Sequence, residues 1–258
     1  MNSIRNTPSF TTWIAPFIAA ITLAATPTAA RADWNWGWVK RVTGSGVSKT
    51  ETRHPGSFNG VSLGLSAKVE VKQGNNESIT ITGDDNIVPL IETEIENGKL
   101  KIRWTERNLS VNYKNLVILV EAKDIESLSI AGSGDIVADT LNAKEFKVSV
   151  AGSGGVRIKQ LNAGEVTASI SGSGDIHLAG RAQSIKTKIA GSGDIKAGNL
   201  ETKSASVSIA GSGNVALWTT DTLSVSVAGS GDVRYYGDPN VSQKVAGSGS
   251  VKRMGKAP

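Results

Sequence analysis

Beyond residue 60, apolar and polar residues alternate along most of this chain, the period of a strand with one buried face. Val61, Leu63 and Leu65 alternate with Ser62 and Gly64, and Val69 and Val71 with Glu70 and Lys72. Ile79 and Ile81 alternate with Thr80 and Thr82, and Leu100, Ile102 and Trp104 with Lys99, Lys101 and Arg103. Asn75-Asn76, Gly83-Asp84-Asp85-Asn86 and Asn97-Gly98 supply turns between these runs. Leu116 to Val120 is continuously apolar and predicts a more buried strand. No helical period is sustained; Ile87 to Ile95 is a short exception.

From about Ser127 the alternation becomes a repeat. Gly-Ser-Gly begins at Gly132, Gly152, Gly172, Gly191, Gly211, Gly229 and Gly247, at intervals of 20, 20, 19, 20, 18 and 18 residues by difference. Two residues before each first glycine stand Ile130, Val150, Ile170, Ile189, Ile209, Val227 and Val245. Four after it stand Ile136, Val156, Ile176, Ile195, Val215, Val233 and Val251. The columns at minus four and plus six are also mostly apolar, until Gln243 and Arg253 interrupt them in the last coil. Positions two apart share a face of a strand, so these columns line one narrow interior. The pattern predicts an all-β, single-stranded parallel β-helix, a solenoid of about 18–20 residues per coil and right-handed by the usual crossover rule. Each coil should contain a strand, a glycine corner permitted by positive φ, a second strand and a looser return. Stacking at about 4.8 Å gives about 35 Å for seven coils. A polar last coil fits a solenoid end, where an apolar one would aggregate.

The N-terminus changes the domain reading. Arg5, the uncharged 16-residue run from Phe10 to Ala25, Pro27 and Ala30-Arg31-Ala32 have the form of a secretory signal peptide over residues 1–32, with an uncleaved anchor helix as the alternative. The expectation is an exported protein, periplasmic, cell-surface or secreted, with no integral membrane span after cleavage. Residues 33–50 then form a Trp-rich leader, with Trp34, Trp36 and Trp38 at alternate positions. It is expected to be flexible; a docked strand or an aromatic binding patch are the alternatives. Residues 51–258 form one β-helix domain, with irregular coils over 51–125 and regular ones over 126–253. The short segment after Arg253 is expected to add no translocator barrel, which needs many strands.

The absence of cysteine excludes disulfides, thiolate metal sites and a Cys nucleophile. The net charge of +5, or +3 once Arg5 and Arg31 are removed, is too mild to argue for nucleic acid.

Phe58-Asn59-Gly60-Val61, Val69 to Gly74, Ile81 to Asn86, Asn97 to Ile102 and the Gly-Ser-Gly-Asp-Ile units at Gly132, Gly172 and Gly191 carry a family resemblance over about residues 56–253. The chain resembles the bacterial exported proteins described as "putative auto-transporter adhesin, head GIN domain". The resemblance implies an all-β solenoid outside the cytoplasm and supplies no catalytic residues.

Three residues after each first glycine stand Asp135, Gly155, Asp175, Asp194, Asn214, Asp232 and Ser250. Asp135, Asp175, Asp194 and Asp232 are candidate ligands for weak calcium binding; the competing reading is turn-capping Asp balanced by bases. Those bases stand two residues on: Val137, Arg157, His177, Lys196, Ala216, Arg234 and Lys252, which pair Asp175 with His177, Asp194 with Lys196 and Asp232 with Arg234. The corner serines form a further column with hydroxyls able to bond one another or turn backbone.

An outward column runs Ser129, Ser149, Ser169, Lys188, Ser208, Ser226, Lys244. It is a candidate binding surface for a glycan or another protein, or simply a solvated face. Among the aromatics, Tyr235 falls in an inward column and Tyr236 is the better sugar-stacking candidate. His54 and His177 are far apart and lack a triad, and no phosphate loop, zinc spacing or nucleophile elbow occurs, so an enzyme is not expected. The expected function is a non-catalytic adhesin or binding module for an envelope protein or glycan. A self-associating structural protein, with homo-oligomers, is the alternative, and a glycan-cleaving enzyme a distant third.

Overall fold

The computed structural model describes residues 39–256. The signal-peptide segment and the leader tryptophans lie outside the described residues. The expectation of an all-β parallel solenoid holds, with about six turns. Its body consists of strands that each run unbroken from one glycine corner to the next. In chain order the strands are β1 (Lys40–Thr43), β2 (Ser48–Arg53), β3 (Gly60–Leu63), β4 (Lys68–Gln73), β5 (Ser78–Asp84), β6 (Ile91–Glu96), β7 (Lys99–Trp104), β8 (Leu109–Asn112) and β9 (Val117–Ala122). The regular part follows as β10 (Ser127–Gly132), β11 (Asp135–Gly152), β12 (Gly155–Gly172), β13 (Asp175–Gly191), β14 (Asp194–Gly211) and β15 (Asn214–Gly229). The last coil is β16 (Val233–Tyr236), β17 (Asn240–Gly247) and β18 (Val251–Gly255).

The return is not loose. Between β11 and β12 the parallel register continues through Thr140↔Gln160, Leu141↔Leu161, Asn142↔Asn162 and Glu145↔Glu165. Buried positions in β11 fall at Ile136, Ala138, Leu141, Phe146, Val148 and Val150. The steps of three and five residues within this series interrupt strict alternation, which marks a bend at each. With the glycine corner they divide the coil into three sides. Leu141, Leu161 and Leu200, and Phe146, Val166 and Ile185, are therefore core columns that spacing from the corner alone did not bring out. The buried hydroxyls are bonded to backbone: Thr202 donates to the Trp218 carbonyl at 2.7 Å and Thr219 to that of Lys203 at 3.0 Å.

The two glycines of a corner have different reasons to be glycine. Gly191 has φ +135, as the bend requires, and a Cβ there would lie 2.3 Å from the Gly172 carbonyl oxygen. Gly193 has no positive φ, yet its Cβ would meet the Gly174 carbonyl oxygen at 2.3 Å and Ile170 Cγ2 at 2.7 Å. Stacking, not backbone freedom, excludes a side chain from the second position. The Ser192 N–H donates to the Gly172 carbonyl at 2.9 Å, and the same bond recurs from Ser153 to Ser248. Among the described residues the corner serine hydroxyls make no hydrogen bond; the column is exposed and its backbone does the joining.

The first coils are not stacked in chain order. β3 pairs in parallel with β10 on one side and β7 on the other, and β4 with β11 and β9. The turn made by β3 and β4 thus lies between the later-formed turn of β7 and β9 and the regular stack. Its corner aligns Leu65-Ser66-Ala67 with Gly132-Ser133-Gly134, since Leu63 pairs with Ile130 and Val69 with Ile136. Antiparallel strands close this end: β6 on β7, and β5 on β9 with β2 outside it. Arg103 pairs there with Glu92 at 2.7 Å, Glu94 at 2.8 Å and Glu96 at 2.9 Å.

Three local readings are refined. Residues 40–43 and 48–50 of the leader expected to be flexible lie in β1 and in the start of β2, which pair with β8 and β5. Ile87 to Ile95 is a 3-10 turn at Val88–Leu90 followed by β6. The apolar run at 116–120 is buried on one face only: Leu116, Ile118 and Val120 are inside, while Val117 and Leu119 are 39% and 40% exposed.

Replacing Gly193 by Ala is expected to cost about 1–3 kcal/mol through overpacking. Replacing fully buried Phe146 by Ala is expected to cost about 3–5 kcal/mol. Denaturant unfolding monitored by circular dichroism checks both; a Gly193→Ala variant of unchanged stability would contradict the stacking argument.

Candidate functional site

Strict register turns each sequence column into a ladder on the surface. Ser129 pairs with Ser149, then in turn come Ser169, Lys188, Ser208, Ser226 and Lys244. Neighbours in this ladder stand about 4.8 Å apart. Ser149, Ser169, Lys188 and Ser208 together line a shallow depression of about 350 Å³. Ser226 and Lys244 continue the same line toward the last coil, and both are exposed.

The side that follows the corner carries the charged columns. Asp135, Gly155, Asp175, Asp194 and Asn214 are in register, and Asp232 follows. Only Asp175 and Asp194 are carboxylates on adjacent coils, because Gly155 and Asn214 interrupt the ladder. No group of three or more potential metal ligands of the His, Cys, Asp or Glu type occurs among the described residues. The side chains act instead on the next coil. Asp194 Oδ1 accepts the Asn214 backbone N–H at 3.1 Å and its side-chain N–H at 3.0 Å. Asn214 Oδ1 accepts the Asp232 N–H at 3.2 Å, and Asp232 Oδ1 the Ser250 N–H at 3.0 Å. Each caps the first donor after the corner above it.

The bases pair differently from the expectation. Lys196 bridges Asp175 on the preceding coil at 3.6 Å and Asp194 on its own at 3.9 Å. Arg234 makes no ion pair among the described residues, since the Ser250 hydroxyl takes the Asp232 carboxylate at 2.7 Å. His177 lies between Arg157 and Lys196 in the ladder. Partial burial holds its pKa below the ordinary value; Arg157 and Lys196 add to this, and Asp175 and Asp194 oppose it. The ring is neutral at neutral pH.

Two members of these ladders escaped the repeat reading. Lys68 pairs with Asp135 and Glu70 with Val137, so the β3–β4 turn extends both columns by one coil, with Lys68 bonded to Glu70 at 2.7 Å. The signal was present: Leu63, Ser66 and Val69 keep the three-residue spacing of Ile130, Ser133 and Ile136. Around these columns lie three depressions. One involves Lys68, Glu70 and Lys159, another Lys68, Asp135 and Arg157, and a third Arg157, Lys159 and Tyr236. They share the rim residues Lys68, Arg157 and Lys159 on the side that follows the corner. Tyr236, half-buried, lines the third, and Tyr235 packs against the core.

Comparison with known proteins follows from this geometry. The family described as "putative auto-transporter adhesin, head GIN domain" matches residues 57–239. The chain belongs to that family. Among solved structures it is similar to a putative adhesin from Bacteroides fragilis NCTC 9343, with 26% identity, a TM-score of 0.79, and coverage of 83% of this chain and 100% of that one. It is also similar to a putative lipid binding protein from Parabacteroides distasonis ATCC 8503, with 25% identity, a TM-score of 0.72, and the same coverage of 83% and 100%. A putative adhesin from Parabacteroides merdae ATCC 43184, 24% identical with a TM-score of 0.67 and coverage of 83% and 99%, shares the fold. No curated protein matches the chain. No helix among the described residues is long and apolar enough to cross a membrane.

Several carboxyls are held below their ordinary values: Asp232 by the Ser250 hydroxyl and then its N–H, Glu96 by Lys101 and then Arg103, Glu51 by Arg53 and then Lys49. A value depressed in the fold stabilises above the unfolded value, and that contribution disappears as pH falls through the folded one. His177 acts in the same direction, because protonation favours the unfolded chain below about pH 6.5. The melting temperature should be level between about pH 7 and pH 9, begin to fall below about pH 6.5, and fall faster below about pH 4.5. His177→Gln should remove the first phase and Asp232→Asn should lessen the second. Millimolar calcium should leave the melting temperature unchanged; an upward shift lost in Asp175→Asn would overturn the capping assignment.

Proposed function

We propose that this chain is an exported, non-catalytic adhesin that binds cell-envelope or extracellular material along the outward faces of its solenoid. One observation carries the reading: the polar ladder Ser149, Ser169, Lys188, Ser208, Ser226, Lys244 repeats at strand spacing on successive coils. A surface of that kind meets a long partner many times with the same short contact, so weak contacts add. Membership of an adhesin-described family and the adhesin description of the Bacteroides fragilis neighbour support the same reading. The secretory form of residues 1–32 supports export. The absence of a catalytic motif in the sequence and the capping use of the Asp column support a non-catalytic role.

A second reading rests on the open last coil. Among the described residues strand β17 pairs only with β15, and Val241 and Val245 are 39% and 38% exposed along it. An unpaired parallel edge with apolar side chains is a template for another strand. Self-association through this edge predicts a concentration-dependent sedimentation coefficient; a monomer at every concentration removes it.

The adhesion reading is tested by capturing envelope extract and probing a glycan array with the purified protein. Lys188→Glu with Ser208→Trp should reduce capture and leave the melting temperature unchanged. Phospholipid vesicles belong in the same set, since the Parabacteroides distasonis neighbour is described as a lipid-binding protein. Blank results throughout would overturn the proposal.

A further inference from the structure

The coil ladder breaks along the side that follows the corner. The register shifts between Ile158 and Leu161, between His177 and Ala179, and between Ala197 and Glu201. At these breaks the outward positions are small: Ala179 and Gly198, with Ala216 beside them on the next coil. The matching position is Lys159 on the preceding coil and Trp218 and Tyr236 on the following ones. Small residues between large ones make a notch, and the depression there measures about 490 Å³. That lies within the range of small-ligand sites, about 300–1,000 Å³.

The walls of the notch are of two kinds. Tyr236 reaches back over the intervening coil, and its ring carbon lies 3.2 Å from where a Cβ on Gly198 would stand. A side chain at 198 would crowd the ring, so glycine there leaves Tyr236 room to line the end of the notch. The other wall is cationic. Lys159 is committed to Asp139 at 2.7 Å and Lys196 to Asp175 and Asp194. Arg157 makes no ion pair among the described residues, because the acid position of its own coil is Gly155. It is exposed, and a guanidinium presents two parallel donors that match a carboxylate. His177, between these basic groups, is a neutral ring able to bond a hydroxyl. The rows of Arg157 and Gly198 are two strand spacings apart, about 10 Å. Two linked pyranose rings cover that span.

We propose that this notch binds a short acidic oligosaccharide, with one sugar ring on the face of Tyr236 and a neighbouring uronate carboxylate on Arg157. The aromatic favours a sugar over a simple anion, and the uncommitted Arg favours a carboxylated sugar over a neutral one. The inference deepens the adhesion reading by giving it a ligand class and a second surface beside the Ser and Lys ladder.

The test is calorimetric titration of the full-length mature protein with trigalacturonate, maltotriose and triglutamate. Trigalacturonate should bind, and the other two should bind at least about tenfold more weakly. Arg157→Ala, and Ala179→Leu to fill the notch, should each lower trigalacturonate affinity by about tenfold, the scale of a lost charge-assisted hydrogen bond. Both alter surface side chains, so melting temperatures should match the wild type. Tyr236→Ala should weaken binding to a similar degree, and Tyr236→Phe should retain it. Failure of the wild type to bind trigalacturonate, equal binding of triglutamate or maltotriose, or full affinity in Arg157→Ala would each overturn the notch. Envelope capture that persists when the notch fails would leave the adhesion reading standing. Trigalacturonate binding by a protein that captures nothing from envelope would do the reverse.

Discussion

At one corner of every regular coil, the backbone of one turn rests on the backbone of the turn below with no room for a Cβ between them. A side chain on Gly193 would stand 2.3 Å from the carbonyl oxygen of Gly174, and the same near-contact recurs at Gly154, Gly174, Gly213, Gly231 and Gly249. Everything else in the regular part follows from that approach. It sets coil-to-coil register at a single point per turn, and the strands on either side of the corner keep that register up to the shifts near Ile158, His177 and Ala197. Phe146 therefore stacks over Val166 and Ile185, and Leu141 over Leu161, without any one side chain having to specify it.

Strict register has a chemical consequence on the outside. Side chains that would be scattered in a globular protein form ladders, and like charges in a ladder repel. The chain manages this by interruption and reuse. Gly155 and Asn214 break the Asp column, and Asp194 and Asp232 spend their oxygens on donors of the next coil. Lys196 spans two carboxylates. The interruptions that relieve repulsion also leave Arg157 without an acid of its own. The register breaks near Ala179 and Gly198 hollow out the sheet beside it. A repetitive scaffold acquires an individual surface where the repeat lapses.

The two ends differ in the same terms. At the N-terminal end antiparallel strands cover the stack, with Arg103 clasping the three glutamates of β6. At the other end β17 has a partner on one side only among the described residues, and Arg253 leaves its inward column to bond the Gly237 carbonyl at 2.7 Å and Asp238 at 3.2 Å. The family this chain belongs to is described as a putative auto-transporter adhesin, and a putative adhesin from Bacteroides fragilis has a similar fold.

The regular solenoid was legible in the amino-acid sequence because its determinants are local and repeated. Two glycines per turn, β-branched residues two before and four after, and polar residues between them state the corner, the core and the outward ladders. The order of the first coils was not legible: β3 lies between β10 and β7, and β4 between β11 and β9, through pairings more than thirty residues apart in sequence, and alternation specifies a face without specifying a neighbour. Nor was the reason for the second glycine, which lies in the carbonyl of another coil. The Asp column and its bases could be listed from the sequence, but their partners could not, since Lys196 chooses an acid on the coil below and Asp232 a serine on the coil above. The sequence by itself determined which residues face inward on the two sides that meet at the glycine corner, because that depends only on the two-residue period of a strand; the third side, with Leu141 and Phe146, lies past bends that break the period. Tertiary structure alone decided which outward residues meet, because that depends on the stacking of turns and on the places where their register shifts.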